Sequence, residues 1–399
     1  MDLRAPSTSR FALLMLFFWG GIVAIEAFMV PYLTGVGFSE KQAGLIMAAV
    51  FFVSIGTQPL WGYVADRTNG HRWIIAGTMF VAILSMLALR GSGAVFGLVL
   101  ACVLVYSLTA NSMPALIDSW IMQISGSGVP INYGVARGFG SLGFAATAMI
   151  LGFVLDRFGL PLMFVIYSVL ALLVIGIVLS IRTLRPVSLG SSSSRDAEPG
   201  QTTGSPIRAV LSNGPYLLLL VSVFFVFLGT RAAMIFLPLR VYQLGGTNVH
   251  VGWVQSLRAA SEIPFMFVAA YVLRRVKPRL VLLLAMSFFV LRLILMKIAP
   301  TPASLVAVQV VQGIAVGFLV PGSVHYIDRI APAEFRSLFQ TLAPSIYFGL
   351  ASVIAGSVGG MFLERFGLDA LYSVAPAVAG VGVILFGGSL VMAGRRRLS

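Results

Sequence analysis

Three carboxylates, Glu26, Asp118 and Glu262, and four guanidinium groups, Arg137, Arg231, Arg258 and Arg292, fall inside long apolar stretches of this 399-residue chain. A charge at hydrocarbon depth costs several kcal/mol and usually faces a cavity or a partner. A carboxylate held there can exchange a proton as its surroundings wet and dry. Asp118 and Arg137 each lie about five residues from the same end of consecutive apolar segments, about 7–8 Å deep at helical rise. They can therefore pair with each other or share a solute. Arg258 and Glu262 are spaced i, i+4 and can neutralise one another on one helix. Other chemistry is excluded. With Cys102 as the one cysteine, neither an internal disulfide nor a cysteine zinc site is available. No Gly-x-x-x-x-Gly-Lys-Ser/Thr run provides a nucleotide-hydrolysing motor. No enzyme activity, cofactor or metal is expected.

The elements that must position these groups follow from composition. The chain is 58% hydrophobic and 10% charged, against about a quarter charged in soluble domains. A spanning helix takes roughly 20 apolar residues. Such stretches lie near 11–33, 43–65, 73–90, 95–122, 133–155, 161–181, 216–241, 251–273, 280–298, 303–327, 337–362 and 370–393. The expectation is an all-α membrane protein of twelve transmembrane helices. The first stretch has no small-residue cleavage site and carries Glu26, so it reads as a retained helix. Placing both termini in the cytoplasm puts seventeen Lys and Arg on the inner side and six on the outer, with four inside spans. This satisfies the positive-inside rule. The net charge of +14 thus reports topology and needs no nucleic-acid partner. The expected location is the cell inner (plasma) membrane, as a multi-pass monomer.

Residues 182–214 hold Ser191 to Ser194, Pro199, Gly200, Gly204 and Pro206, the composition of a flexible linker. They divide the chain into six-helix bundles at 1–181 and 215–399. The halves repeat. Gly152-Phe-Val-Leu-Asp156-Arg157-Phe158-Gly159-Leu160 returns as Gly360-Met-Phe-Leu-Glu364-Arg365-Phe366-Gly367-Leu368, an offset of 208. Gly44 and Gly252 share that offset, while Pro31 and Pro238, and Pro114 and Pro321, differ by 207. Six spans per half give parallel repeats, the plan of rocking transporters with a site at midplane. A duplicated scaffold without transport is the alternative. Pro114 and Pro321 are expected to kink their helices. Gly134, Gly138, Gly140 and Gly143, with Gly356, Gly359 and Gly360, are expected to permit close packing.

Between the second and third spans the chain reads Gly62-Tyr-Val-Ala65-Asp66-Arg67-Thr-Asn-Gly70-His71-Arg72. This resembles the cytoplasmic signature loop of the major facilitator superfamily, with one extra residue before the second glycine. An acid, a turn glycine and basic residues there can latch helix ends through their dipoles. The resemblance implies that Gly62, Asp66, Arg67, Gly70 and Arg72 gate the protein. Pro114-Ala-Leu-Ile-Asp118 and Asn132-Tyr133-Gly134-Val-Ala-Arg137-Gly-Phe-Gly140 resemble the branch containing lactose permease, phenylpropionate permease and nucleoside–proton symporters. Glu262-Ile-Pro264, Arg292, Gln309, Gln312-Gly313 and His325-Tyr326 extend that likeness.

The resemblance implies that Asp118 and Arg137 line a solute site. Asn111, Tyr133, Arg292, Gln309 and Gln312 are the further binding candidates. Ser107, Asn111 and Asp118 are expected on one helix face, and Tyr133, Arg137, Ser141 and Phe144 on the next. The sugar permease takes its proton on an acid of the tenth span, where this chain has Gln309 and Gln312. Glu26, Glu262, Asp118 and His325 therefore become the candidates for proton coupling, although His325 also reads as a hydrogen-bonded surface histidine. Trp19 is one of several aromatic residues that could pack on a solute ring. The leading expectation is proton-coupled symport of a small organic solute (carboxylate, sugar or nucleoside-like) by alternating access. A proton-driven exporter of the same fold is the runner-up, although the fifth span lacks the Gly-Pro-x-x-Gly-Gly run typical of proton antiporters. A non-transporting receptor or scaffold is the alternative from another class.

Overall fold

The computed structural model describes residues 7–68, 70–127, 129–181 and 205–395. In chain order the helices are α1 (Thr8–Glu26), α2 (Met29–Val36), α3 (Glu40–Thr68), α4 (His71–Gly91), α5 (Phe96–Leu108), α6 (Pro114–Gly126), α7 (Tyr133–Phe158), α8 (Leu162–Ser180) and α9 (Pro206–Ser212). They continue as α10 (Gly214–Ile235), α11 (Leu237–Gln243), α12 (Asn248–Val272), α13 (Pro278–Ile298), α14 (Pro302–Ile330), α15 (Arg336–Pro344), α16 (Ala351–Phe366) and α17 (Leu368–Arg395). Among the described residues there is no strand. Eleven helical segments there are long and apolar enough to cross a membrane. The remaining expected span is the 25-residue α12, which falls outside that group and carries His250, Arg258 and Glu262 along its length. Of the expected linker, 182–204 lie outside the described residues, whereas Pro206–Ser212 is helical.

The described residues divide into two compact units. The first draws on the described residues of Met1–Phe38, Ala49–Glu198 and Thr247–Ser256, the second on those of Ser39–Ala48, Pro199–Gly246 and Leu257–Ser399. Each unit thus takes in the start of a helix whose remainder belongs to the other, and glycines make this possible. In the second unit a Cβ on Gly44 would collide with the Gly356 carbonyl and lie 2.9 Å from the Gly360 Cα. In the first, one on Gly252 would collide with the Ala148 carbonyl and lie 3.1 Å from the Gly152 Cα. Gly44 and Gly252, and Gly152 and Gly360, are the repeat pairs at offset 208. Gly140 and Gly143 also pack closely, but Gly138 meets nothing within 4 Å and Gly359 only ordinary contacts.

The repeat extends to irregular backbone. The first span breaks at Phe28, between α1 and α2, and its counterpart breaks at Phe236, between α10 and α11. Just beyond each break, a side chain reaches the end of the third helix of its repeat. Tyr32 Oη donates to the Leu89 carbonyl at 3.5 Å, and Arg240 Nη2 to the Lys297 carbonyl at 3.1 Å. Donors and acceptors are both 208 residues apart. The repeated charged motif ends α7 and α16 on Gly159 (φ 87°) and Gly367 (φ 81°). These left-handed angles favour glycine, and the amides bond back to Leu155 and Leu363.

One expected feature differs, and one irregularity was not expected. The fourth span does not simply kink at Pro114. It is interrupted after Leu108 by a 3-10 turn, Ala110–Ser112, and restarts with Pro114 as the first residue of α6. Proline suits that position because it lacks only an amide hydrogen the first turn leaves unused. Its counterpart Pro321 lies inside α14, which continues through it. The eleventh span contains a π-helical stretch, Ser345–Leu350, between α15 and α16.

In the first unit, α1 lies against α7 because Gly143 admits the Leu16 backbone and Gly20 faces Thr147. Gly143→Ala should destabilise the protein by about 1–3 kcal/mol through overpacking. Gly176→Ala, where a Cβ meets nothing within 4 Å, should change stability by less than about 0.5 kcal/mol. Thermal unfolding of the purified protein measures both.

Candidate functional site

The interruption at 109–113 leaves backbone groups without helical partners, and hydrocarbon supplies none. Side chains of α3 meet them. Trp61 Nε1 donates to the Leu108 carbonyl at 2.6 Å, and within the turn Ser112 Oγ donates to the Ser107 carbonyl at 2.7 Å. Ser107 Oγ donates to the Val50 carbonyl at 2.6 Å. Asn111 Nδ2 donates to Ser54 Oγ at 2.7 Å, and Thr57 hydrogen-bonds Ser112. The candidate Asn111 thus has its amide nitrogen committed to α3. The helical periodicity that placed Ser107, Asn111 and Asp118 on one face does not carry across the interruption. Ser54, Thr57 and Trp61 were missed in the sequence, though their spacing of three and seven residues marks one polar stripe on an otherwise apolar helix.

Below the interruption, α6 carries Asp118 and α7 carries Tyr133 and Arg137. Asn132 caps α7 by accepting the Val135 amide, and this sets where Tyr133 and Arg137 emerge. Tyr133 and Arg137 both lie close enough to Asp118 to act on its carboxylate, Arg137 as the positive charge that faces it. Yet acid and base do not close on each other. Asp118 Oδ1 is buried with no hydrogen-bond partner. The Arg137 guanidinium lies over the Trp19 ring, 4.6 Å from its centroid. The structure therefore brings Asp118, Tyr133 and Arg137 together and adds Trp19. The available signal for Trp19 was Gly140, one turn beyond Arg137. A Cβ there would stand 2.7 Å from Trp19 Cδ1 and 3.3 Å from Arg137 Nη1.

In the second unit Arg292 is wholly buried. Its Nη2 donates to Gln309 Oε1 at 2.7 Å and contacts Met234 Sδ at 2.8 Å. Gln309 is itself held, its Nε2 donating to the Leu305 carbonyl at 2.8 Å. Arg292 Nε and Nη1 and Gln312 Oε1 are buried without hydrogen-bond partners. The charges of Arg258 and Glu262 lie within electrostatic range of Arg292. Arg292 and Gln309 are thus brought together.

The other candidates are more dispersed. Glu26 ends α1 and is exposed. His325 is exposed, with Nδ1 2.9 Å from the Pro321 carbonyl, the geometry of a hydrogen-bonded surface histidine. In the signature loop, Gly62 lies within α3, and Asp66 and Arg67 stand exposed near its end. The Arg67 guanidinium lies 4.8 Å over the Tyr63 ring. Gly70 caps α4. Arg72 donates to the Leu179 carbonyl, and Arg10 to that of Ser180 at 3.4 Å. Both cations sit at the negative end of the α8 dipole.

Long apolar helices, with a half-buried acid, a guanidinium and an aromatic ring gathered in one unit, suit a membrane carrier. The family model for the MFS_1 like family matches residues 9–374. The chain belongs to this family of major facilitator superfamily transporters. It is 30% identical to the maltose permease of Geobacillus stearothermophilus over 361 residues, 90% of this chain and 87% of that one. The fold resembles that of the nucleoside transporter NupG, with a TM-score of 0.82 at 16% identity, covering 98% and 99% of the two chains. It also resembles a D-xylose–proton symporter, with a TM-score of 0.70 at 14% identity, covering 95% and 96%. This chain is a multi-pass membrane transporter.

Removing the group that holds a buried charge costs more than removing both partners. Gln309→Leu should therefore destabilise the protein by about 2–3 kcal/mol. Arg292→Met added to Gln309→Leu should restore most of that loss. Thermal unfolding of the single and double variants in detergent provides the comparison.

Proposed function

We propose that the protein imports a sugar by proton-coupled symport through alternating access, with Asp118, Tyr133 and Arg137 as its binding groups. The observation that carries this reading is the buried, unpartnered Asp118 Oδ1 facing Arg137. An ionised carboxylate accepts hydrogen bonds only, and a guanidinium only donates them. A hydroxyl does both, so a polyhydroxylated solute satisfies the two groups together. A carboxylate solute would meet Arg137 well but set its charge against Asp118. The maltose permease likeness supports the same class. Arg292, Gln309 and Gln312 are the binding candidates of the second unit, and Asn111 contributes through its carbonyl oxygen. Proton coupling is assigned to Asp118, Glu26, Glu262 and His325, with Glu262 favoured by its half-buried position within electrostatic range of Arg292. Gly62, Asp66, Arg67, Gly70 and Arg72 gate the transition. The repeats are 1–181 and 215–399, both termini are cytoplasmic, and the working unit is a monomer in the cell inner membrane.

Labelled maltose uptake into proteoliposomes under an imposed pH gradient tests the reading. Accumulation should require an acidic exterior and collapse with a protonophore. Net efflux driven by the proton gradient would indicate an exporter, and no flux of maltose or other sugars would remove the symport assignment. Maltose should also raise the unfolding temperature of the parent protein and leave Arg137→Ala unmoved. An equal shift in that variant would take Arg137 out of the site.

A further inference from the structure

Trp19 is the group around Asp118 and Arg137 whose chemistry is not yet accounted for. It lies on α1, half-buried, with the guanidinium 4.6 Å over its ring. Three close approaches at glycines fix it there. Gly20, the next residue, faces Thr147, and Gly143 admits the Leu16 backbone. One turn before Gly143 on α7, Gly140 leaves room for the indole beside the guanidinium, since any larger residue would bring a Cβ 2.7 Å from Trp19 Cδ1. Glycine at 140 thus serves the ring and the cation together. On the other side, Asp118 keeps one buried oxygen unpartnered, with Tyr133 close by.

We propose that Trp19 is a positioning residue, whose ring holds the Arg137 guanidinium off Asp118 so that a sugar hydroxyl can enter between the two charges. The proposal rests on the reading of Asp118 and Arg137 as binding groups. A guanidinium and a carboxylate on adjacent helices in a medium of low dielectric attract strongly. Once closed on each other, they would offer a sugar nothing until that attraction was broken. The face of a tryptophan attracts a cation more weakly than a carboxylate does, yet well enough to hold it. The ring therefore gives up the guanidinium to a solute far more readily than the acid would. It keeps the cation desolvated on one face and its N–H groups free at the edge. The sugar ring does not need the indole face itself, because the guanidinium occupies it.

Uptake kinetics of Trp19→Tyr, Trp19→Phe and Trp19→Leu, with maltose in proteoliposomes, test this. The ring quadrupole weakens from tryptophan through the smaller aromatics and vanishes in leucine. KM should rise in that order, reaching about tenfold in Trp19→Leu, while the maximal rate per folded protein stays within about twofold. The aromatic variants retain most of the packing against α7, so the comparison survives even if Trp19→Leu fails to fold. Unchanged KM in the aromatic variants, or a fall in maximal rate alone, would overturn the positioning role. With Arg137→Ala inactive beside them, that result leaves the binding site standing. Arg137→Ala transporting maltose like the parent protein would overturn both.

Discussion

A polar group at hydrocarbon depth has no water to fall back on, and both units are arranged around that constraint. In the first unit the constraint acts on the backbone. The fourth span stops being helical at Thr109, and the carbonyls released there have to be met from α3 or from within the turn. In the second unit it acts on a side chain. Arg292 is buried to zero exposure and depends on Gln309 and the Met234 sulfur. Neither arrangement serves stability well. A continuous helix and an apolar residue would each cost less. Their presence points to function.

The repeats show how one backbone plan carries different chemistry. The breaks at Phe28 and Phe236, the tethers from Tyr32 and Arg240, and the glycine endings at Gly159 and Gly367 recur with one offset. Side chains diverge around them. Tyr32 uses a single hydroxyl. Arg240 adds Asp369 at 2.6 Å and Gln243 at 2.7 Å, and Gln243 also binds Asp369. The position of Ser54 in the first repeat is occupied by Glu262 in the second, and that of Ser107 by Ala315. The counterpart α14 stays helical through Pro321, and along it Ser261 Oγ donates to the Gln309 carbonyl at 3.2 Å.

Charge, period and repeat were all legible in the sequence, because hydrocarbon imposes them residue by residue. Apolar runs located the helices, and the shared depth of Asp118 and Arg137 brought those two to one place. Details that depend on where a helix stops being a helix were not legible. Pro114 marked the fourth span as irregular. It could not reveal that the irregularity lies upstream at 109–113, since proline is also an ordinary first residue of a helix. Without that break, Asn111 looked like a neighbour of Asp118, whereas its amide reaches Ser54. Trp19 was read as a surface for a solute ring, because a sequence shows an aromatic residue without showing what already lies against its face. Gly140 was the clue, and it became readable only once α1 was placed beside α7.

The two units differ most in how easily their charges can be redirected. For Arg292 to serve a solute, it must first release Gln309, whose own amide is anchored to the Leu305 carbonyl. A hydrogen bond to a buried charge is worth about 1.5–3 kcal/mol, and nothing in that packed interior replaces it before the solute arrives. Arg137 is half-buried and held by a ring face, an interaction of about 0.5–2 kcal/mol. Asp118 meanwhile has an oxygen still to satisfy. A solute hydroxyl reaching the first unit therefore relieves an unmet demand and displaces a weak contact. One reaching Arg292 must displace a strong contact. On these terms the charges of the first unit are the more readily redirected, whereas those of the second are held by their own packing.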